Sequence, residues 1–378
     1  MNFSLTEEEK SIQDWARKLS QEIVAPLAVR HSQQKLSTDY LKTISSQGLM
    51  TLLVPEAMGG MGLSAVSFAL VMKEISKVCG STGVSLAVSN MIADILVREG
   101  SPYQQEKFLQ PLIRGETLTA SFCLTENSSG SDASALKSRA VKKGKGYELS
   151  GEKIYVTNGA FSQFFVVMAR TSDEPGSKGV SAFLISRDSK GVTMGKEEDK
   201  MGLTGSSTIR MSFENVFVPE ENRIGAEGDG FKIAMRALDG GRISVSSQAL
   251  GIAEASLEFG VRYAKEREAF GKPIADFQAI QWKIADSATL LAAAELLVLQ
   301  AAYLKDHQKP LTLAASQAKV FATEAAIRVC DEMIQVLGGY GYIREYPVER
   351  FYRDVRVTAL YEGTSEIQRK VIARELLK

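Results

Sequence analysis

Histidine and cysteine are scarce in this chain of 378 residues: there are two of the first and three of the second. His31 and His307 alone do not make a zinc site of the ordinary kind. Cys79, Cys123 and Cys330 lie far apart and form no paired framework, which suits a reducing cytosol. Charge of one sign is also missing. Lys plus Arg total 45 and Asp plus Glu total 45, so the formal net charge is zero, and the basic excess expected of a nucleic-acid binder is absent. The longest apolar runs, such as LLAAAELLVLQAAYL, are broken by Glu or Gln, and none is expected to span a membrane. The opening MNFSLTEEEKSIQDW has neither a basic start nor an apolar core and does not read as a signal peptide. Several familiar strings are missing too: G-x-G-x-x-G after a strand, the Walker A pattern, G-x-S-x-G and H-E-x-x-H. What remains is a cytoplasmic, soluble globular protein with length for two or three domains. Among common side-chain catalysts, a poised carboxylate is the best candidate left.

Three zones follow one another, which predicts an α+β fold class. Residues 1–118 read as helical. Thr6 with Glu9 is a capping box, and Ile12, Trp15, Ala16, Leu19 and Ile23 follow at helical spacing. The loop VPEAMGGMGLSAV interrupts, and helical periodicity resumes from Ser67 to Lys77 and from Tyr103 to Leu112. Residues 119–229 read as a β-domain of short strands between Gly, Ser and Asp turns. FSQFFVVMAR, GVSAFLIS and TIRMSFENVFV are strands, and KGYELSGEKIYVTN reads as a hairpin turning at Gly151. Residues 230–378 return to long helices. The first of them is one helix or two, depending on how Gly240 and Gly241 are accommodated. Another ends at Pro310 and a third at the cap-like Gly338 and Gly339.

Near the C-terminus stands ALYEGTSEIQRK, where one acid, Glu362, sits between an apolar lead-in and a helix start. A carboxylate there either complements the helix dipole or is a desolvated base whose pKa is raised toward neutrality. In the β-zone, LTENSSGSD packs hydroxyls and backbone donors into nine residues, a lining suited to phosphate or heteroatom edges. YVTNG sets Tyr155 and Thr157 on one side of a strand. Each loop, taken alone, is also an ordinary turn.

Taken in register, CLTENSSGSD, KIYVTNGA, KEREAFGKPIADFQ, QVLGGYGYIREYPVERFYRD and YEGTSEIQ resemble the acyl-CoA dehydrogenase family over nearly the whole chain. VPEAMGGMG and KMGLTGSS extend the likeness. The resemblance implies an N-terminal helical domain, a middle β-domain and a C-terminal four-helix bundle. It also implies noncovalent FAD, an acyl-CoA substrate, an electron-transfer flavoprotein as partner, and a homotetramer or dimer without nucleic acid or membrane insertion. By the same resemblance, Glu362 removes the α-proton of the thioester while flavin N5 takes the β-hydride. The Glu362 N–H and a ribityl hydroxyl would bind the thioester oxygen, with Tyr361 and Gly363 beside the substrate. Phe122, Leu124, Thr125, Tyr155 and Thr157 would meet the flavin, and Ser131 the FAD phosphates and pantetheine. Arg267, Phe270 and Gln278 would reach the FAD of a neighbouring subunit, with Gln335, Gly338 and Gly339 along it. Thr364 and Glu366 would contact the dinucleotide, and Asp239 and Arg242 the CoA arm.

The chain departs from the family in places. Asn127 and Ser128 stand where proline and glycine are usual, which alters that turn. Tyr155 replaces the usual Trp or Phe. Some members draw their base from the position just before the D-x-x-R arginine, and here that position is Gly241, without a side chain. Asp94, in SNMIADILVREG, is either a helix-surface acid or a polar wall of the acyl pocket. The text LDGGRISVSSQALGIAEASLE resembles short-chain and bacterial butyryl-type members, favouring a short, branched-short or cyclic acyl group. Two other readings stay open: an acyl-CoA oxidase or flavin monooxygenase relative, and a non-catalytic binding relative.

Overall fold

The computed structural model describes residues 4–27 and 35–378; His31 lies outside them. Helix α1 (Glu7–Leu19) starts at the expected capping box, with the Thr6 hydroxyl accepting from Glu9 N–H and the Glu9 carboxylate from Thr6 N–H. Helices α2 (Thr38–Ser46), α3 (Ala65–Val78) and α4 (Gly80–Glu99) follow. A helical stretch over 102–113 has a π-helical middle turn, Gln105–Leu109. Nearly all of α3 and α4 is buried, so their sequences show little amphipathic stripe.

The middle of the chain forms one eight-stranded sheet. Its strands are β1 (Ser121–Cys123), β2 (Arg139–Lys143), β3 (Gly146–Thr157), β4 (Phe164–Arg170), β5 (Val180–Ser186), β6 (Val192–Glu197), β7 (Thr208–Pro219) and β8 (Arg223–Ile224). Their order is β6-β7-β3-β2-β4-β5-β8, with β1 parallel to β4. Strand β4 is buried on both faces. Phe164, Val166 and Met168 join the helical core, while Phe165, Val167 and Ala169 join the core inside the sheet. That is why FFVVMA is apolar at every position instead of alternating.

KGYELSGEKIYVTN is not a hairpin. It is the single strand β3, and the turn lies before it, at the left-handed Gly144. Gly151 sits at a register shift between β3 and β7. A Cβ there would lie 2.2 Å from Ser138 Oγ, so the glycine serves a bulge pressed against β2.

Helix α5 (Gly230–Glu266) runs unbroken through Gly240 and Gly241, which settles the one-or-two question in favour of one. With α6 (Gln278–Asp306), α7 (Thr312–Leu337), α8 (Val348–Arg356) and α9 (Ser365–Leu376) it completes the helical end. Gly338 caps α7 with φ +60°. The Asp306 carboxylate accepts from Ala65 N–H and Val66 N–H at 2.6 and 3.1 Å, tying the end of α6 to the exposed donors starting α3. Lys73 and Lys77 of α3 bind Glu254 and Glu258 of α5 and Glu295 of α6. One expectation needs amending. By length and composition α4 and α6 are both apolar enough to cross a membrane, although 89 % of the apolar window in α4 is buried inside the protein and 33 % in α6.

Candidate active site

The α8–α9 loop carries Glu362 to the face of α5 at Gly241. Thr364 caps α9 by accepting from Ile367 N–H, which fixes where the helix starts. The two residues before that cap are left-handed, Glu362 at φ +56° and Gly363 at φ +89°. A non-glycine residue in this region costs on the order of 1–3 kcal/mol, so its surroundings must hold it there. Two buried donors do. Gln368 Nε2 donates to the Glu362 and Gly363 carbonyls at 3.1 and 2.9 Å, and Lys319 Nζ donates to the Gly363 carbonyl at 2.8 Å.

The Glu362 carboxyl lies against Gly241 of α5. A Cβ on Gly241 would stand 2.5 Å from Oε2 and 2.9 Å from Cδ. The missing side chain at Gly241 is thus the space the acid occupies. Oε2 is buried and accepts from no protein donor among the described residues. Burial lifts the carboxyl to about 7, with Arg242 and Lys319 pulling the other way. A carboxyl raised to this range can act as a general base near neutral pH.

Around it, Arg242 Nη1 pairs with Asp239 at 2.5 Å and reaches Ser316 Oγ at 3.3 Å, while Thr312 Oγ1 donates to Asp239. Burial outweighs this pairing, raising the Asp239 pKa and lowering that of Arg242. Arg242 Nε is buried without a partner among the described residues, a donor left for a ligand. The Tyr361 hydroxyl donates to Gln248, whose Nε2 donates to the Gly80 carbonyl of α4.

The LTENSSGSD loop is built around a buried acid. Glu126 accepts from Lys137 N–H (2.6 Å), Ser138 N–H (3.0 Å), Ser138 Oγ (2.7 Å) and Lys153 Nζ (2.7 Å). Lys153, wholly buried, also donates to the Leu124 carbonyl at 3.0 Å. Leu124 and Thr125 are thereby fixed beside β3, since Ile154 N–H donates to the Thr125 carbonyl. Tyr155 is left-handed (φ +56°) and exposed, Val156 points inward, and Phe122, Leu124, Thr125 and Thr157 are half-buried. Ser131 is exposed.

Arg267, Gln335, Gly338 and Gly339 meet along a cavity of about 400 Å³, with Tyr263 and Tyr340 in its wall. Phe270 and Gln278 do not line it; Phe270 is 96 % exposed, against the edge of Phe277, and Gln278 opens α6 on the surface. A Cβ on Gly338 or Gly339 would meet nothing within 4 Å. The pair borders open space and leaves room for a flat group against the backbone. Thr364 is half-buried and Glu366 exposed at the start of α9. Asp94 binds Arg98 at 2.8 Å and Lys305 at 3.3 Å. Burial raises its pKa, but the two cations outweigh this and hold the carboxyl below its usual range. It is an ionised, answered charge, which disfavours it as a second proton acceptor. Lys305 Nζ in turn lies 3.1 Å from where Gly240 would carry a Cβ.

Three family descriptions match the chain in sequence: the acyl-CoA dehydrogenase N-terminal domain over residues 6–116, the middle domain over 121–216 and the C-terminal domain over 228–377. The chain belongs to the acyl-CoA dehydrogenase family. Mitochondrial short-chain specific acyl-CoA dehydrogenase of Mus musculus is 42 % identical over 379 residues, covering 100 % of this chain and 92 % of that one. Butyryl-CoA dehydrogenase of Megasphaera elsdenii is 39 % identical with a TM-score of 0.97, both chains covered in full. A structure reported for the electron transferring flavoprotein of Acidaminococcus fermentans, in work on flavin-based electron bifurcation, is 43 % identical with a TM-score of 0.97 over both full chains. The protein is a flavoprotein oxidoreductase, an acyl-CoA dehydrogenase whose cofactor is FAD. The residues fit that group: the glycine-bordered cavity and the Lys153-clamped loop offer backbone and space.

Sequence reasoning missed Lys319, Gln368, Gln248 and the Glu126–Lys153 pair. Glu126 and Lys153 both stood inside the motifs, but their partnership is a contact between loop and strand. Lys319 had one visible signal, a cation amid the apolar run LAASQAKVFA.

Proposed function

We propose that this acyl-CoA dehydrogenase oxidises a short, branched-short or cyclic acyl-CoA to its trans-2-enoyl-CoA and passes the electrons to an electron-transfer flavoprotein. The observation that carries the reading is the half-buried Glu362, its carboxyl oxygen Oε2 buried in the space left by Gly241 and its pKa raised to about 7 by desolvation. As carboxylate, Glu362 takes the α-proton onto an oxygen; the Cα–H pair becomes the new C=C bond as the β-hydrogen leaves with two electrons. FAD, when bound, supplies the acceptor for that hydride. The Glu362 N–H is assigned to the thioester oxygen, where negative charge builds as the α-proton leaves. Asp239 and Arg242 are assigned to the CoA arm, Tyr361 and Gly363 to the walls of the acyl site.

The cofactor residues are assigned in two groups. Phe122, Leu124, Thr125, Ser131, Tyr155 and Thr157 serve the subunit's own FAD, and Thr364 and Glu366 contact the dinucleotide. Arg267, Phe270, Gln278, Gln335, Gly338 and Gly339 serve that of a neighbour in a homotetramer, which would also cover the exposed Phe270 and Trp282. Domain limits after residues 118 and 229 and a cytoplasmic location complete the reading; all three cysteines are free and buried. Sedimentation velocity tests the tetramer.

The chemistry is tested by anaerobic flavin bleaching of the purified protein with butyryl-, isobutyryl-, hexanoyl-, glutaryl- and cyclohexanecarboxyl-CoA, beside Glu362→Gln. Bleaching by one thioester that is lost in the variant is the expected result. Bleaching that survives in Glu362→Gln would remove the base from the scheme. Rapid reoxidation by air would move the enzyme to the oxidase branch.

A further inference from the structure

Lys319 is a wholly buried lysine in the middle of α7. No carboxylate lies within ion-pair distance of it among the described residues, and its ammonium donates to the Gly363 carbonyl, one residue past the base. Removing an ammonium from water costs several kcal/mol unless something answers the charge. A methionine would fill the same apolar run without that penalty. The side chain must therefore serve something the apolar alternative does not, and the group it reaches is the Glu362–Gly363 turn.

We propose that Lys319 is the positioning residue of the base: its buried ammonium clamps the Gly363 carbonyl, holds Glu362 in its left-handed conformation against Gly241, and supplies with Arg242 the positive charge beside the carboxylate. Gln368 is the neutral second clamp, donating to the same carbonyl and to that of Glu362 itself. The inference rests on the assignment of Glu362 as base, but it concerns how this chain holds and charges that group.

The electrostatic surroundings agree from every side. Arg242, paired with Asp239, faces Glu362 from α5, and Lys319 faces it from α7. Glu324 of α7 and Glu366 of α9 act on Lys319, Arg374 of α9 acts on Arg242, and the Tyr361 hydroxyl adjoins in the loop. Burial lowers Lys319 to about 8 despite the attraction of Glu362, and Glu362 stands at about 7. Each charge favours the ionised form of the other, so loss of the Lys319 charge raises the Glu362 carboxyl further.

The test uses FAD-loaded protein carrying ¹³C at the glutamate carboxyls. The Glu362 signal is assigned by its loss in Glu362→Gln and titrated by NMR, a readout that needs no turnover. Lys319→Gln keeps a donor toward Gly363 but removes the charge, and is expected to move the Glu362 titration up by about one pH unit. Lys319→Arg keeps the charge and is expected to leave the titration in place. Gln368→Met is expected to slow anaerobic flavin reduction at every pH without moving its acidic limb. A Glu362 titration that is the same in wild type and Lys319→Gln overturns the proposal. A wild-type enzyme that no acyl-CoA bleaches would instead defeat the proposed function, while the carboxyl titration still decides the role of Lys319.

Discussion

Replacing Lys153 by methionine removes the one cation from a buried cluster and leaves its acid behind. Lys153 has no exposed surface and Glu126 is 7 % exposed. Breaking such a pair by deleting one partner costs about 3–5 kcal/mol, because the survivor is an unanswered buried charge. Glu126 keeps three donors, from Lys137 N–H and from the N–H and hydroxyl of Ser138, so the loss is expected at the lower end, about 3 kcal/mol. The converse change, Glu126→Gln, strips Lys153 of its carboxylate and leaves an amide and the Leu124 carbonyl within reach. Burial already depresses the lysine, and loss of the carboxylate pushes it further the same way, which lessens the penalty. Hydrogen exchange of the β1 and β3 amides, read beside FAD retention on gel filtration, follows the local opening directly. Lys153→Met should weaken protection there and release FAD from the Leu124–Thr125 segment. The double variant should recover part of the loss, as coupled neighbours do. A Lys153→Met protein with unchanged protection and full FAD occupancy would refute the argument that this pair clamps the cofactor loop.

Three further outcomes follow from particular contacts. Burial raises Glu362 from the ordinary 4.5 of a glutamate to about 7 in the folded protein, so the folded state holds that proton more tightly than the unfolded chain. The resulting stability is fully present below about pH 4 and lost as pH rises through 7. Glu362→Gln should therefore be more stable than wild type by about 3 kcal/mol at pH 8, a gain that vanishes toward pH 4; equal urea midpoints at both pH values would contradict this. Gly151→Ala places a Cβ 2.2 Å from Ser138 Oγ and 2.7 Å from its Cα, and should destabilise β2–β3 by at least about 2 kcal/mol. Because Ser138 also serves Glu126, FAD retention should fall with the thermal midpoint, and an unshifted midpoint would remove the bulge argument. Asp94→Ala frees Lys305 beside Gly240. The ratio of flavin reduction by glutaryl-CoA to that by butyryl-CoA should rise, whereas an unchanged acyl preference would place Asp94 outside the acyl pocket's influence.

How much of this is legible in the sequence depends on the range of the interaction. Local signals were readable: the Thr6–Glu9 box, the helix start after Glu362, the cap at Gly338, and strands such as β4. Gly151 was misread because a glycine in an alternating run marks a turn or a bulge equally well. Only the neighbouring strand, which brings Ser138 within reach of a would-be Cβ, distinguishes the two. The acid of the site was visible in the string YEG, and the bare Gly241, 121 residues away, was legible as the empty place of a rival base but not as a neighbour. Their relation is that one vacates the volume the other fills. The supporting cations were harder to see, because Lys153 and Lys319 carry no pattern of their own; a lysine in an apolar run is more often a snorkelling surface residue than a buried clamp. Backbone carbonyls are what they clamp, at Leu124 and Gly363, and a carbonyl has no letter in the sequence. The chemistry-bearing side chains of this fold can thus be read from its motifs, while the groups that hold them in strained or desolvated positions emerge only when helix α7 is laid against the α9 loop and β3 against the loop after β1.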